Sequence, residues 1–470
     1  MKGRREFLKL LGLLSAGTAS ARPLSKIGEN LNTPYDLASF NMNDYKAPKL
    51  SVVRIGFVGL GARGSEAVKR INRIDKVAIN ALCDIRREAI EATLRKIEKF
   101  SHQPAIYTGK EDNWKKMCER NDIDVIYIAT HWELHIPIAI YAMTHGKHVA
   151  MEIGPAESIE QCWQLVKASE KNKKHCIFLE NCCYDFFELL TLNMARQGFF
   201  GEIIHCEGAY IHDIAEGLFD KKKRYNFWRL KENSRRNGNL YPTHGFGPIC
   251  NILNINRGDK LDYLVSMSSD DFTLKYIQQK AAEKDPQDFD QFEKKKFRGN
   301  MNTSIIKTYN GKTIMLQHDI SSPRVYSRIH LVSGTKAAAQ KYPLPGKISI
   351  GHESWVDEEH MKQLEAVYTL PLVKQIGEMA KQIGGHGGMD FLMDWRWVDC
   401  LRNGLAIDHN VYDAALWMSI TPLSEKSVAN NSKPINIPDF TNGYWKKNKP
   451  LNFSINHENL TPIKYDENKY

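Results

Sequence analysis

The sequence predicts an α/β protein, with a doubly wound parallel sheet in its N-terminal part and an α+β part with a mostly antiparallel open sheet behind it. Three observations carry this prediction. Strand-like and helical runs alternate from Val52 to about residue 180, which is the pattern of parallel strands joined by crossover helices. Glycines 59, 61 and 64 stand in G-x-G-x-x-G spacing between the first strand and the first helix. Beyond Gly201 the runs become short and alternate with period two, and Asn310-Gly311 separates two of them, the strongest short hairpin signal. At 470 residues the chain exceeds one comfortable core, so two domains are expected.

Taken in order, the chain opens MKGRREFLKLLGLLSAGTASARP. Arg4 and Arg5, the apolar run Leu10 to Ala16 and the small residues Ala19-Ser20-Ala21 predict a twin-arginine leader over residues 1–21, cleaved after Ala21. A periplasmic or otherwise exported protein is expected. The apolar run is too short to span a bilayer, and no other stretch has the roughly 18 uninterrupted apolar residues a span requires. Residues 22–50 are polar and rich in Pro and Asn, and read as a linker or wrapping arm. Val52 to Val58 reads as a buried strand and Ser65 to Ile71 as a helix. KVAINALCD is a second strand ending at Asp84, IRREAIEATLRKIEKF a charged helix, and DVIYIAT a third strand; HIPIAIYAMTHG is a helix and KHVAME a short strand. In the second part EIIHCEGAYIHD alternates, IIKTYNGKTIMLQHD is the hairpin, and SRIHLVSGTKAAA is another strand. QQKAAEKDPQDFDQFEKKKF is polar at nearly every position and reads as a solvated helical excursion. Residues 386–424 return to helical and loop patterns, expected to lie back on the first domain.

Composition excludes several classes. A hydrophobic share of 42% with 26% charged residues is that of an ordinary globular protein. The net charge of +10 is spread along the chain without an aromatic-spaced basic stripe, which argues against a nucleic-acid partner. Nine cysteines, an odd number, include Cys182-Cys183 and no C-x-x-C, and read as small core residues rather than a disulfide framework or a zinc site. Homo-oligomerisation stays open.

In its strand–turn–helix setting, G-x-G-x-x-G reads as a dinucleotide site: glycines for the tight turn and close backbone approach, a helix N-terminus for the pyrophosphate. Residues 51–180 are therefore assigned as a Rossmann-type dinucleotide-binding domain and 181–470 as a substrate domain. Asp84, twenty residues after Gly64, would accept the adenosine ribose hydroxyls, favouring NAD; Arg86 and Arg87 beside it leave NADP open. His131 and His135 flank Glu133 at i, i+4. The acid does not directly follow the first His as in H-E-x-x-H and no third ligand is evident, so the segment is read as a loop beside the nicotinamide and no metal site is assigned.

The stretch IATHWELHIPIAIYAMTHGKHVAMEIGPAES resembles the glucose–fructose oxidoreductase and inositol dehydrogenase superfamily, in which GKHV leads to Glu-Lys-Pro. Here Glu152 is followed by Ile153 and Gly154, so the lysine that helps move the alcohol proton in those dehydrogenases is missing. ENCCYDF, WRLKENSRRNGNLYPTHGFGPICNILNINRGD, GGHGGMDF and PLSEKSV together resemble one group within it, glycoside hydrolase family 109, the NAD-dependent α-N-acetylgalactosaminidases, over nearly all of the chain after the leader. The resemblance implies that Arg63, Gly64, Asp84, Trp132, Glu133, Leu134, His135, Glu152, Ile153 and Asn181 touch NAD, together with the turn glycines Gly59 and Gly61. It implies that Tyr210, Arg229, Tyr241, Pro242, Thr243, His244 and Tyr326 hold the sugar of a small-molecule or glycan substrate.

It also implies a redox-neutral route: C3 of the sugar is oxidised, a base removes the acidified C2 proton, the aglycone leaves C1, water adds, and C3 is reduced again. That chemistry explains the cluster in GNLYPTHGFGPI. His244 has the intrinsic pKa of a base at neutral pH, Tyr241 can share a proton with the C3 oxygen, and Pro242 stiffens the corner that aims both. Export fits a cofactor that is regenerated in each turnover. An NAD(P)-dependent sugar oxidoreductase and a non-catalytic glycan-binding protein remain the alternative readings.

Overall fold

Six parallel strands form the first sheet of the computed structural model, which describes residues 40–97 and 103–464. They are β1 (Val53–Val58), β2 (Val77–Cys83), β3 (Ala105–Tyr107), β4 (Val125–Ile128), β5 (His148–Glu152) and β6 (Cys176–Leu179), in the order β3-β2-β1-β4-β5-β6. Helices α1 (Ala62–Ile71), α2 (Arg87–Arg95), α3 (Asn113–Cys118), α4 (His135–Thr144) and α5 (Ile159–Asn172) make the crossovers. Every residue of β4, β5 and β6 is buried, which is why these strands read as continuous apolar runs rather than alternating ones. DVIYIAT is the fourth strand, not the third: three-residue β3 is too short to give a periodic signal. Strand order reverses between β1 and β4, and a crevice opens there at the carboxyl ends of the strands.

Helix α6 (Phe186–Arg196) leads into an eight-stranded sheet of β7 (Ile203–Ile211), β8 (Leu261–Ser268), β9 (Asn302–Thr308), β10 (Thr313–Asp319), β11 (Leu331–Gly334), β12 (Ala337–Gln340), β13 (Lys347–Ile350) and β14 (Ile435–Asn436). Its order is β13-β12-β11-β7-β10-β9-β8-β14, antiparallel throughout except where β10 runs parallel to β7. β9 and β10 form the expected hairpin around Asn310-Gly311. The SRIHLVSGTKAAA segment holds two strands, β11 and β12, because the chain reverses at Gly334.

The remaining helices are α7 (Ala215–Leu218), α8 (Trp228–Arg235), α9 (Thr243–Ile252), α10 (Leu274–Lys284), α11 (Pro286–Phe289), α12 (Glu358–Tyr368), α13 (Pro371–Ile383), α14 (Met389–Asn403) and α15 (Val411–Ala429). The polar excursion corresponds to α10, α11 and the residues after them, and it is not merely a solvated flap. Phe289, Phe292 and Phe297 are buried against Phe227, Leu230 and Tyr210, each contributing roughly 1.5–3 kcal/mol of burial. The surrounding lysines and acids hid three phenylalanines on one inward side.

Residues 386–424 do lie back on the first sheet. Arg70 of α1 meets Asp394 of α14 at 2.9 Å, and the Phe178 amide of β6 donates to the His409 carbonyl. Residues 40–50 run as an arm, with the Met42 amide on the Tyr412 hydroxyl at 3.1 Å and the Leu50 amide on the Leu401 carbonyl. All nine cysteines are buried and unpaired. Among the described residues no helix is long and apolar enough to cross a membrane. The leader lies outside the described residues.

Candidate active site

Two glycines set the position of the YPTH corner. Helix α9 lies so close on β7 that a Cβ at Gly245 would stand 2.2 Å from the Ala209 nitrogen, and one at Gly208 would stand 2.5 Å from the Gly245 carbonyl oxygen. Pro242 takes the position before the helix at φ −72°, its ring presetting that angle. The close crossing brings Tyr241 and His244 against Tyr210 near the end of β7, with ring centroids 4.7 and 5.3 Å away. Tyr241 and His244 meet edge to face at 5.0 Å.

These rings form one wall of a cavity of about 660 Å³ that continues to the carboxyl ends of β1, β4, β5 and β6. On the sheet side its lining includes Arg63, Trp132, His135, Glu152, Ile153 and Asn181; on the other side stand Tyr210, Arg229, Tyr241, His244 and Tyr326. The structure thus brings most of the sequence-selected residues together. Gly59, Gly61, Gly64 and Asp84 lie off this wall, where β1 turns into α1 and at the end of β2. Glu133 is exposed and pairs with His131 at 2.9 Å, and Leu134 is half-buried in the same turn. Pro242 and Thr243 are buried behind the wall, and the Thr243 hydroxyl faces Glu180 rather than the cavity.

The turn after β1 has the donor set of a dinucleotide cradle. Gly64 cannot carry a side chain, since its Cβ would fall 1.9 Å from the Gly59 carbonyl oxygen, whereas a Cβ at Gly61 would meet nothing within 4 Å. Space is therefore free over the N-terminus of α1, whose first turn holds no acid, and Arg63, Lys69 and Arg73 bring cations to the cavity. A diphosphate fits this arrangement. Asp84 accepts the Leu60 amide at 2.8 Å and the Arg86 amide at 2.9 Å. The Arg86 guanidinium reaches the same carboxylate at 3.3 Å and lies over the Tyr225 ring at 5.0 Å.

Glu180, at the end of β6, was not singled out by sequence reasoning. It is fully buried, and its Oε1 lies 2.7 Å from His244 Nδ1 while accepting the Cys182 amide at 2.9 Å. Burial raises its pKa, but His244, the Thr243 hydroxyl and the Cys182 amide outweigh that and hold the carboxyl below its ordinary value. With Nδ1 engaged, the Nε2 of His244 is the nitrogen left for the cavity. Burial raises the hydroxyls of Tyr241, Tyr210 and Tyr326 above their ordinary values, so all three serve as donors near neutral pH. His212, also missed, meets the Tyr210 hydroxyl at 2.9 Å.

Glu180, Cys182 and His244 are also the one group of metal-ligating side chains that converges among the described residues. Burial raises the Cys182 thiol far above its ordinary value, and the carboxylate is committed to the imidazole. The pair His131 and His135 does not converge: His135 turns inward, with Nε2 on the Thr130 carbonyl at 3.0 Å, and burial lowers its pKa to about 4.

Trp132 rests on Gly154, where a Cβ would come within 2.5 Å of its ring. The departure Ile153-Gly154 thus removes an ammonium and also seats an indole. Arg229 lies between Trp132 at 5.1 Å and Tyr241 at 4.9 Å. At the mouth, residues 384–388 (GGHGG) have five consecutive positive φ angles, a run that glycine permits and other residues resist. It presents His386, exposed, with Nδ1 2.8 Å from Asp390 Oδ2. The same carboxylate oxygen takes Arg63 Nη1 at 2.8 Å, while Arg63 Nε reaches Glu152 at 2.8 Å. The signal for His386 was the glycine density around it; Glu180 had none beyond its place at a strand end.

Comparison with known proteins agrees with this geometry. Residues 53–179 match the oxidoreductase family with an NAD-binding Rossmann fold, and residues 184–447 match the C-terminal domain of glycosyl hydrolase 109. The chain is 44% identical over 418 residues to glycosyl hydrolase family 109 protein 1 of Bacteroides fragilis, covering 86% of this chain and 88% of that one. It is 47% identical over 412 residues to a protein of the same species named alpha-N-acetylgalactosaminidase, covering 85% and 94%. An NAD binding oxidoreductase from Klebsiella pneumoniae shares the fold, with a TM-score of 0.61 at 13% identity over 83% of this chain and 100% of the other. A Rossmann domain with an open cradle, joined to a second sheet whose matched family is a glycosidase family, leaves one assignment: the chain belongs to glycosyl hydrolase family 109.

Proposed function

We propose that this protein is an exported glycosidase that cleaves α-N-acetylgalactosaminides with a resident NAD and no net redox change. The observation that carries the proposal is His244, braced by buried Glu180, in one cavity with the dinucleotide cradle. The 47% identical relative named for that activity supports the sugar. When bound, NAD supplies reversible oxidation at C3 of the sugar, which acidifies the neighbouring C2–H. Arg63, Glu152, Ile153 and Asn181 would hold the dinucleotide along the strand ends, with Asp84 at its ribose.

The chain's own groups then handle protons. His244 Nε2 takes the C2 proton, and the Glu180 carboxylate steadies the imidazolium that results. Tyr241 and Tyr210, kept protonated by burial, donate to sugar oxygens, Tyr241 at the C3 oxygen. Since Ile153 stands where the dehydrogenases carry lysine, proton traffic there falls to Tyr241 and His244. His386, oriented by Asp390 at the mouth, is the group for the departing glycosidic oxygen. The twin-arginine leader supports export of the folded, loaded protein, and a redox-neutral cycle requires no exchange of spent cofactor outside the cell.

The test uses aryl α- and β-glycosides in D₂O with no added electron acceptor. Aglycone release from the α-N-acetylgalactosaminide with deuterium at C2 of the product is expected. A keto-sugar accumulating without aglycone would make the protein a net sugar oxidoreductase. Sugar binding without cofactor absorbance would make it a glycan-binding protein.

A further inference from the structure

We propose that the sugar end of the cavity takes a glycoside bearing an oxyanion substituent, a sulfate ester or a carboxylate, held by Arg224 together with Arg229. This rests on the glycosidase reading above and goes beyond it in naming the charge of the substrate. The acids around the cavity are already matched. Glu66 pairs with Lys96, Glu152 and Asp390 with Arg63, and Glu180 with His244, all between 2.7 and 2.8 Å. Arg70 is matched in turn by Asp394 at 2.9 Å.

Arg224 and Arg229 line the same cavity, and neither forms an ion pair with any described residue. Arg229 is only 8% exposed, lies between two aromatic rings and meets the Tyr210 hydroxyl, and its Nε has no hydrogen-bond partner. The Nε of Arg224 is likewise buried and unpartnered. Burial and then the neighbouring Arg229 charge lower the pKa of Arg224. A third guanidinium, Arg298, is 1% exposed, but the carboxylates of Asp319 and Asp271 act on it more strongly than Arg229 does, so its charge is offset.

A buried charge without a partner is costly. One guanidinium is accounted for by a neutral sugar, whose acetamido or hydroxyl oxygen can accept from Arg229. A second beside it, half-buried and repelled by the first, finds no partner in a neutral sugar and suits an anion. Arginine rather than lysine at both positions suits the planar, two-pronged recognition of a sulfate or carboxylate.

The experiment measures kcat/KM of the full-length, NAD-loaded protein for an aryl α-N-acetylgalactosaminide, its 4-sulfate, its 6-sulfate and its 6-carboxylate analogue. At least one anionic substrate should exceed the neutral one by about tenfold or more, from the strength of charge-assisted hydrogen bonds. Which of the three gains identifies the group. The advantage should shrink as salt rises, and Arg224→Gln should bring the ratio to within about threefold of unity with an unaltered melting temperature. A neutral glycoside cleaved as well as all three anionic ones would overturn the proposal while leaving the glycosidase reading intact. If no glycoside is cleaved, the glycosidase reading fails. Quenching of tryptophan fluorescence from Trp132 and Trp228 in the cavity wall then decides the anion question alone. Sulfated N-acetylgalactosamine should bind about tenfold tighter than the neutral sugar to the native protein and not to the Arg224→Gln variant; equal affinity overturns the proposal.

Discussion

Replacing Glu180 by Gln should slow turnover by about two to three orders of magnitude without emptying the cofactor site. The magnitude follows from the burial of Glu180 and its 2.7 Å contact with His244. When His244 takes a proton, two opposite charges face each other with centres about 4 Å apart, worth about 4 kcal/mol at an effective dielectric near 20. At about 1.4 kcal/mol per decade, that is at most about three decades, and water in the open cavity trims it toward two. Gln preserves volume, and its Oε1 can keep both the Cys182 amide and the Nδ1–H of His244, so the substitution removes the negative charge and leaves the contacts in place. The assay is kcat for an aryl glycoside from pH 5 to 9, together with C2 deuterium exchange and the cofactor absorbance per protein. A brace for a base predicts a large loss in kcat, a shifted pH profile and full cofactor content. Turnover within about threefold of the native protein with an unchanged profile would refute the reasoning, and so would a lowered melting temperature as the sole effect.

Three further outcomes follow from the same structure. His244→Ala should lower turnover by about 10²–10⁴-fold with NAD still bound; undiminished turnover would remove His244 from its role. Asp84→Ala should yield cofactor-free protein on purification, because the ribose acceptor and the anchor of the Leu60 and Arg86 amides disappear together; near-full occupancy would contradict the ribose assignment. Acid should destabilise the fold below pH 6.5. Burial lowers His135 to about 4 and His175 and His330 to about 3, and lowers His148 and His318 further from the ordinary value. These rings stay neutral in the folded chain but bind protons once unfolded, so stability complete above pH 6.5 is lost as pH falls. Glu170 and Asp394, raised by burial to about 7 and 6, act in the opposite direction together with Glu232 and Asp185, but His212 and His409 join the lowered histidines, so four groups stand against seven. The melting temperature should drop by at least about 5 °C between pH 7 and 5; a flat profile would show that the histidines are hydrated.

What the sequence determined by itself is what neighbours along the chain decide. The glycine turn after β1, the hairpin at Asn310-Gly311 and the runs of β1, β2, β4 and β5 are local: backbone freedom and side-chain periodicity within a few residues specify them. Tyr241 and His244, three residues apart at a helix start, were legible for the same reason. Contacts between distant segments were not. Glu180 meets His244 across 64 residues and Arg63 meets Asp390 across 327, and nothing in either local stretch says which acid finds which base. Three phenylalanines hidden in a charged segment, and Arg224 left without a counter-ion, are likewise settled by packing. The glycine turn was written locally; the Glu180 contact with His244 and the unpaired Arg224 and Arg229 arose only when two sheets closed on one cavity, because burial and electrostatic pairing depend on everything that surrounds a group.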